Sequence, residues 1–391
     1  MGGCLLAGRF GAQNGEVMDL TDAQRAALEC VASSARARRE QAAAELRNIC
    51  QMCDIEGEVL AQALANVRRD ARVGLHFHPD RPCTEGQSVV QCLLEQGVYK
   101  SQFETGISNG GLTAYAGGRR DTCEQQLFGG AYHEGVPDSE RPKYGSLELL
   151  RHAEGPSPRF GSCYFLLAKE VSLRCTFTYG DSHDDPRQRG THAEFDDVFA
   201  GFLLDVFYHE CALGEQGLRV PAVLQRLHGD LAAPLDAPAI SRPVRNLNQY
   251  LEAQVHGALL LDRDVAALVV DPAFRGTETG RLLSELGERY RIPVFAHHGF
   301  RLAAADVPRD FRGPGMPALA RRIALSGFVD ASRIAAAVVD VHQHPAAWRS
   351  RGSLEQVLQE LKLLWHVLVK YGAPVPEQSR AEDRTCLTPW C

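Results

Sequence analysis

Between residues 20 and 70, apolar positions recur at three- and four-residue intervals. Leu28, Val31, Leu46, Ile49, Val59, Leu60 and Leu64 form that pattern, which predicts helix behind a cap at Thr21 or Asp22. From Val73 the texture changes to short apolar or alternating runs separated by Gly, Pro, Asp and Asn. RVGLHFH, VYKSQFETGI, GSCYFLLA, LRCTFTYG, YLEAQVHGALLL, VAALVVDP and IPVFAHHG read as strands. A helix over Phe195 to Ala212, striped by Phe199, Phe202, Leu203, Val206 and Phe207, interrupts them, and another is predicted around Thr279 to Tyr290. DVPRDFRGPGM at 306–316 reads as a loop. Helices over Pro317 to Ser326, Ala331 to His342 and Leu354 to Tyr371 follow, before a last stretch of twenty residues without a pattern. Helices do not separate the strands at a constant period, so the expected class is α+β, a mixed β core with flanking helices, rather than a doubly wound or barrel fold. The expected regions are a helical 1–70, a mixed core 71–313 and a helical 314–391.

Composition narrows the function classes. The 391 residues, 45% hydrophobic and 23% charged, suffice for a sizeable core. Lys and Arg number 42 against 49 Asp and Glu and lie scattered, so no nucleic-acid partner is expected. No apolar run approaches the roughly 20 residues of a membrane helix. MGGCLLAGRF lacks a cleavage site, and Leu6 leaves the myristoylation pattern at Gly2 incomplete. A cytoplasmic protein or a delivered effector, with no membrane partner, is the expectation. The 12 cysteines are dispersed and read as reduced thiols, with Cys50 and Cys53 as helix-packing residues.

Three blocks carry candidate chemistry. In RVGLHFHPDR, alternation sets Val73, Leu75 and Phe77 against His76 and His78, and Pro79 leaves Asp80 and Arg81 at the strand's mouth. YKSQFETGISNGG runs into a glycine turn, Ser108 to Gly111, that permits close backbone approach. YLEAQVHG presents Glu252, Gln254 and His256 on one face beside a core-like LLLDRDVAALVV, where polar groups need partners or a ligand. Each block also has a plain reading, as an ordinary turn or a surface strand. ERPKYG reads as a loop offering Tyr144 or Glu140, GDSHDDP at 180–186 as a solvated acidic loop, and His297 with His298 as strand-end groups near the same cleft.

The order of these blocks resembles the ADP-ribosyltransferase superfamily: His or Arg on a first strand, Ser or Tyr on a middle element, Glu on a late strand. More narrowly, HFHPDR, SQFETGISNGG, RPKYG with GSCYF, and EAQVHG resemble a bacterial family of formerly unknown function linked to divergent ADP-ribosyltransferases, over about Val73 to Gly313. The resemblance implies that His76 or Arg81 holds the adenosine ribose or diphosphate, that Ser101 or Ser108 orders the nicotinamide side, and that Glu252 is the catalytic carboxylate. Gln254 follows where arginine-directed members carry paired glutamates two residues apart. His78, Glu104, Asn109, Gly110, Tyr144 and His256 complete the implied NAD-contacting set. NAD would be a consumed substrate, no metal is expected, and an unknown protein would accept ADP-ribose, with the resemblance leaning towards an arginine. A carboxylate on the ribose 2′-hydroxyl would stabilise the oxocarbenium-like sugar. No GxGxxG follows a strand, which argues against a hydride-transferring site. A zinc-dependent hydrolase built on His76 and His78, with His256, His297, His298 or Asp271, and a non-catalytic binding module are the alternatives.

Overall fold

The computed structural model describes residues 20–83, 86–107, 113–235, 247–375 and 388–390. Helix α1 (Asp22–Met52) starts in a capping box, with Gln24 N–H donating to Thr21 Oγ1 and Thr21 N–H to the Gln24 side chain. It stops before Asp54, which adopts a left-handed φ of 54°. After α2 (Gly57–Asp70) the chain enters a nine-stranded sheet. Its strands are β1 (Arg72–Phe77), β2 (Lys143–Glu148), β3 (Cys163–Leu167), β4 (Cys175–Tyr179), β5 (Arg189–Thr191), β6 (Leu251–Val255), β7 (Val265–Val270), β8 (Val294–Ala296) and β9 (Thr388–Pro389). The order is β9-β8-β7-β3-β1-β2-β6-β4-β5, antiparallel throughout except for the parallel β7–β8 pair. The expectation of a mixed β core with flanking helices holds at this level, around a mostly antiparallel sheet.

The first helices and the last share one core. A single apolar cluster runs from Ala42 and Leu46 of α1 through Leu75, Phe165 and Val270 in the sheet to Val357, Leu361 and Trp365 of the helix Leu354–Tyr371. A smaller cluster, Ala27, Val31, Leu127, Phe128 and Tyr132, fastens the start of α1 to the helix Arg119–Leu127.

Three segments depart from the sequence expectation. VYKSQFETGI is not a strand: Ser101 caps the short helix Gln102–Thr105, with Glu104 N–H donating to Ser101 Oγ at 3.2 Å and Ser101 N–H to the Glu104 carboxylate at 2.7 Å. The Ser-x-x-Glu capping signal outweighs the alternation there. ERPKYG is not a loop throughout: from Lys143 it is strand β2, which lies between β1 and β6 inside the sheet. Its Gly145 sits where a Cβ would lie 2.7 Å from the Gly74 carbonyl oxygen, so a residue that reads as a turn former is required for strand packing. Within the last twenty residues, Thr388–Pro389 pair with β8, and Trp390 donates from Nε1 to Ser284 Oγ at 2.9 Å.

Candidate functional site

Register builds the site. Gly74, Ser146, Glu252 and Thr178 stand opposite one another across β1, β2, β6 and β4, and Tyr144, Gln254 and Thr176 form the next row. Directly paired residues share a face, so the centre of the sheet carries one polar face. A cleft of about 380 Å³ opens over it, lined by Glu252, Tyr144, His76, His78, Arg81, Asp181 and Tyr250 among others.

Glu252 is 4% exposed, and burial raises its carboxyl to about 7, against the lowering influence of Arg120. It accepts hydrogen bonds from Ser182 and, at 2.9 Å, from Gln254 Nε2. Behind Gln254 the bonds form a directed chain. Thr176 Oγ1 donates to Gln254 Oε1 at 2.7 Å, so His256 Nε2–H donates to Thr176 at 3.1 Å and Tyr132 O–H donates to His256 Nδ1 at 2.6 Å. Every donor points towards Glu252. Full burial drops His256 to about 3, so it is neutral at physiological pH, as this tautomer demands.

Among its charged residues, the cleft lining is mostly cationic. Seven Lys and Arg side chains line the cleft against two carboxylates, Asp181 and Glu252, in a chain whose net charge is −7. Arg81, Arg159 and Lys362 are three of these cations; among the described residues none has a carboxylate partner, and Arg159 donates to Leu247 O and Asn248 Oδ1. Lys362, from the helix Leu354–Tyr371, falls to about 8 through burial and then through Arg159, Arg81 and Arg312. Unneutralised cations held together in a cleft favour a polyanion. Arg120 lies 4.3 Å above the Tyr144 ring, whose hydroxyl donates to Glu124 Oε1 at 2.7 Å.

A family model described as Protein of unknown function (DUF3626) matches residues 72–371. The chain belongs to the DUF3626 family. No curated protein matches it. Every residue lining the cleft falls inside the matched span, including Lys362, so the helical C-terminal part of this DUF3626 chain helps to form the site. Helices α1 and α2 precede that span.

Five of the residues singled out from the sequence, His76, His78, Arg81, Tyr144 and Glu252, come together in the cleft. Others do not. Ser101 is fully buried, its hydroxyl donating to Asp138 O at 2.8 Å, and Glu104 is bound to it in the capping box. Gln254 and His256 lie behind Glu252 and orient it without lining the cleft. Ser108, Asn109 and Gly110 fall outside the described residues. Glu140 accepts from Thr21 Oγ1 at 2.6 Å and so anchors α1. His297 is occupied by Ser162 O and Gly299 N–H, both at 2.9 Å.

His76 differs from the cation that an anchoring role would need. Ser157 N–H donates to its Nε2 at 3.3 Å, so Nδ1 carries the proton and donates to Gly161 O at 3.2 Å. Burial lowers it to about 3. A neutral ring with both nitrogens engaged offers neither charge nor a lone pair for a metal, and its office is to hold the segment over Gly74. That leaves Arg81 as the cation of the first block. The loop GDSHDDP, solvated by its composition, instead delivers Asp181 and His183 to the cleft. Tyr250, Arg120, Arg159 and Lys362 also escaped the sequence reading. Only Tyr250 carried a signal, being two residues before Glu252 on the same strand face.

Proposed function

We propose that the cleft binds NAD and that Glu252 promotes cleavage of its nicotinamide–ribose bond, with transfer of ADP-ribose to a protein side chain. The observation that carries this reading is a buried carboxylate, gripped by Gln254 and Ser182, in a cleft that also holds Arg81, Arg159 and Lys362, none of them paired with a carboxylate among the described residues. Arg81, Arg159 and Lys362 suit the diphosphate through charge-assisted hydrogen bonds. The faces of Tyr144 and Tyr250 suit the flat ends of the dinucleotide. As nicotinamide departs with the bonding pair, positive charge builds on the ribose, and a carboxylate bound to the 2′-hydroxyl stabilises it where water is excluded. The resemblance of the sequence blocks HFHPDR, RPKYG and EAQVHG to divergent ADP-ribosyltransferases supports the same chemistry.

The test is release of nicotinamide from NAD by the purified chain, with labelled NAD and a cell extract to reveal transfer to protein. Only ionised Glu252 serves, and burial holds it near 7. Plotted against pH, kcat/KM is therefore expected to climb about tenfold per unit below that value and to fall again above about 8, where Lys362 loses its charge. A profile flat from pH 5 to 8 would sink the role of Glu252.

Arg81→Met and Lys362→Met are each expected to raise the KM for NAD about 10- to 100-fold, the worth of one charge-assisted hydrogen bond, with kcat little changed. Steady-state kinetics at two salt concentrations checks this. Unchanged KM in both variants would place the dinucleotide elsewhere.

A further inference from the structure

The end of β4 brings a second carboxylate to Glu252. Thr178 stands opposite Glu252 in the ladder, and Gly180 N–H donates to Tyr250 O at 3.2 Å, so the chain leaves β4 still attached to β6. It then turns so that Asp181 and His183 line the cleft while the Ser182 hydroxyl reaches the Glu252 carboxylate. Asp181 Oδ1 accepts His183 N–H at 3.0 Å, and this cap fixes the carboxylate's direction. His183 is engaged at Nδ1 by Cys123 Sγ at 3.3 Å. The two carboxylates stand in different surroundings: Glu252 is almost fully buried between Gln254 and Ser182, whereas Asp181 is half-buried on the cleft wall, with His183 N–H on one oxygen and the Tyr250 hydroxyl beside it. Two carboxyl groups flanking a glycosidic carbon in unequal surroundings divide the work between them. Glu252, held by Gln254 and Ser182 and needed in its ionised form at the ribose, is the carboxylate that stabilises charge, which leaves the proton of an incoming nucleophile to Asp181.

We propose that Asp181 is the general base that deprotonates the oxygen nucleophile, water or a hydroxyl side chain, attacking C1′ of the NAD ribose. The assignment rests on the NAD reading above. The C1′–N bond breaks and its electron pair leaves with neutral nicotinamide. The C1′–O bond forms, and the O–H proton passes to the Asp181 carboxylate and then to solvent. Glu252 stays ionised throughout. Free ADP-ribose as product identifies water as the nucleophile, and a labelled protein identifies a hydroxyl side chain.

Azide, an anion that needs no base, separates this role from a structural one. Asp181→Asn keeps the cap, since Asn is as good a capping residue as Asp. In the full chain, it is expected to lower nicotinamide release about 100-fold or more with KM for NAD nearly unchanged. Sodium azide is expected to restore at least about a tenth of the lost rate, with ADP-ribosyl azide found by mass spectrometry, and to do nothing for Glu252→Gln. An active wild type with an indifferent Asp181→Asn variant, or a loss that azide leaves untouched, overturns the base assignment alone. A wild-type chain that releases no nicotinamide overturns the NAD reading and this assignment with it.

Discussion

Glu252→Gln is expected to reduce nicotinamide release from NAD by about 1000-fold or more, the scale of losing the group that meets charge as it develops. The same change is expected to make the protein more resistant to heat at pH 8. Burial raises the folded-state value of Glu252 from 4.5 to about 7. Between those values the folded chain keeps a proton that the unfolded chain has released. Stability therefore falls as pH rises through the window, and the full penalty, on the order of 3 kcal/mol, is present above about 7. Gln carries no charge and escapes it. Its carbonyl can accept from Gln254, and its amide can donate to the Ser182 hydroxyl, which Arg120 Nη1 approaches at 3.4 Å. Wild type and variant should accordingly melt together near pH 4.5 and separate at pH 8, with the inactive variant higher. Full activity in the variant would assign the chemistry to a different catalytic group. Equal melting at both pH values would mean that the cleft solvates the charge of Glu252.

The second large effect belongs to Gly161→Ala. A Cβ there would lie 2.3 Å from both N and O of Phe77, and neither can yield, since Phe77 pairs with Cys163 in the β1–β3 ladder. The strain is steric and not conformational, because Gly161 has extended backbone at φ 175°. Relief requires β1 and β3 to part at the sheet's centre and His76 to lose the Gly161 carbonyl. The expected cost is about 3 kcal/mol or more, at the upper end for overpacking. Gly57→Ala is the control: nothing lies within 4 Å of its Cβ, and it opens α2. That change should be neutral or stabilise by up to about 1 kcal/mol through the unfolded chain. Urea midpoints decide, and a Gly161→Ala midpoint equal to wild type would rule out the close approach.

Periodicity carried far where one residue spacing prevailed. The helix Leu354–Tyr371 has the bounds its apolar stripe predicts, and the RVGLHF and LEAQV strands alternate as read. Glu252 was legible for that reason. Elsewhere two local signals competed. At SQFE the capping box prevailed over alternation, and at KYGSLE, Pro142 and Gly145 concealed a strand because the glycine answers a neighbouring backbone and not a turn.

Local pattern determined most element types, the polar faces of β1 and β6, and the candidacy of Glu252, because successive strand residues face opposite sides, and here one side packs apolar side chains while the other, also buried, carries the polar ones. It did not say how far the cleft reaches along that face. Tyr132 and Phe128 cover His256, the Phe128 ring meeting it edge-on at 5.3 Å, so one strand face is divided into an open part at Glu252 and a closed part that supports it. Nor did it say which charges gather there. Arg81, Arg159, Asp181 and Lys362 lie on segments up to 281 residues apart and individually look like solvated side chains. Only the tertiary fold decides that they share one cleft, since Coulomb interactions depend on distance in space and leave no periodic trace along the chain.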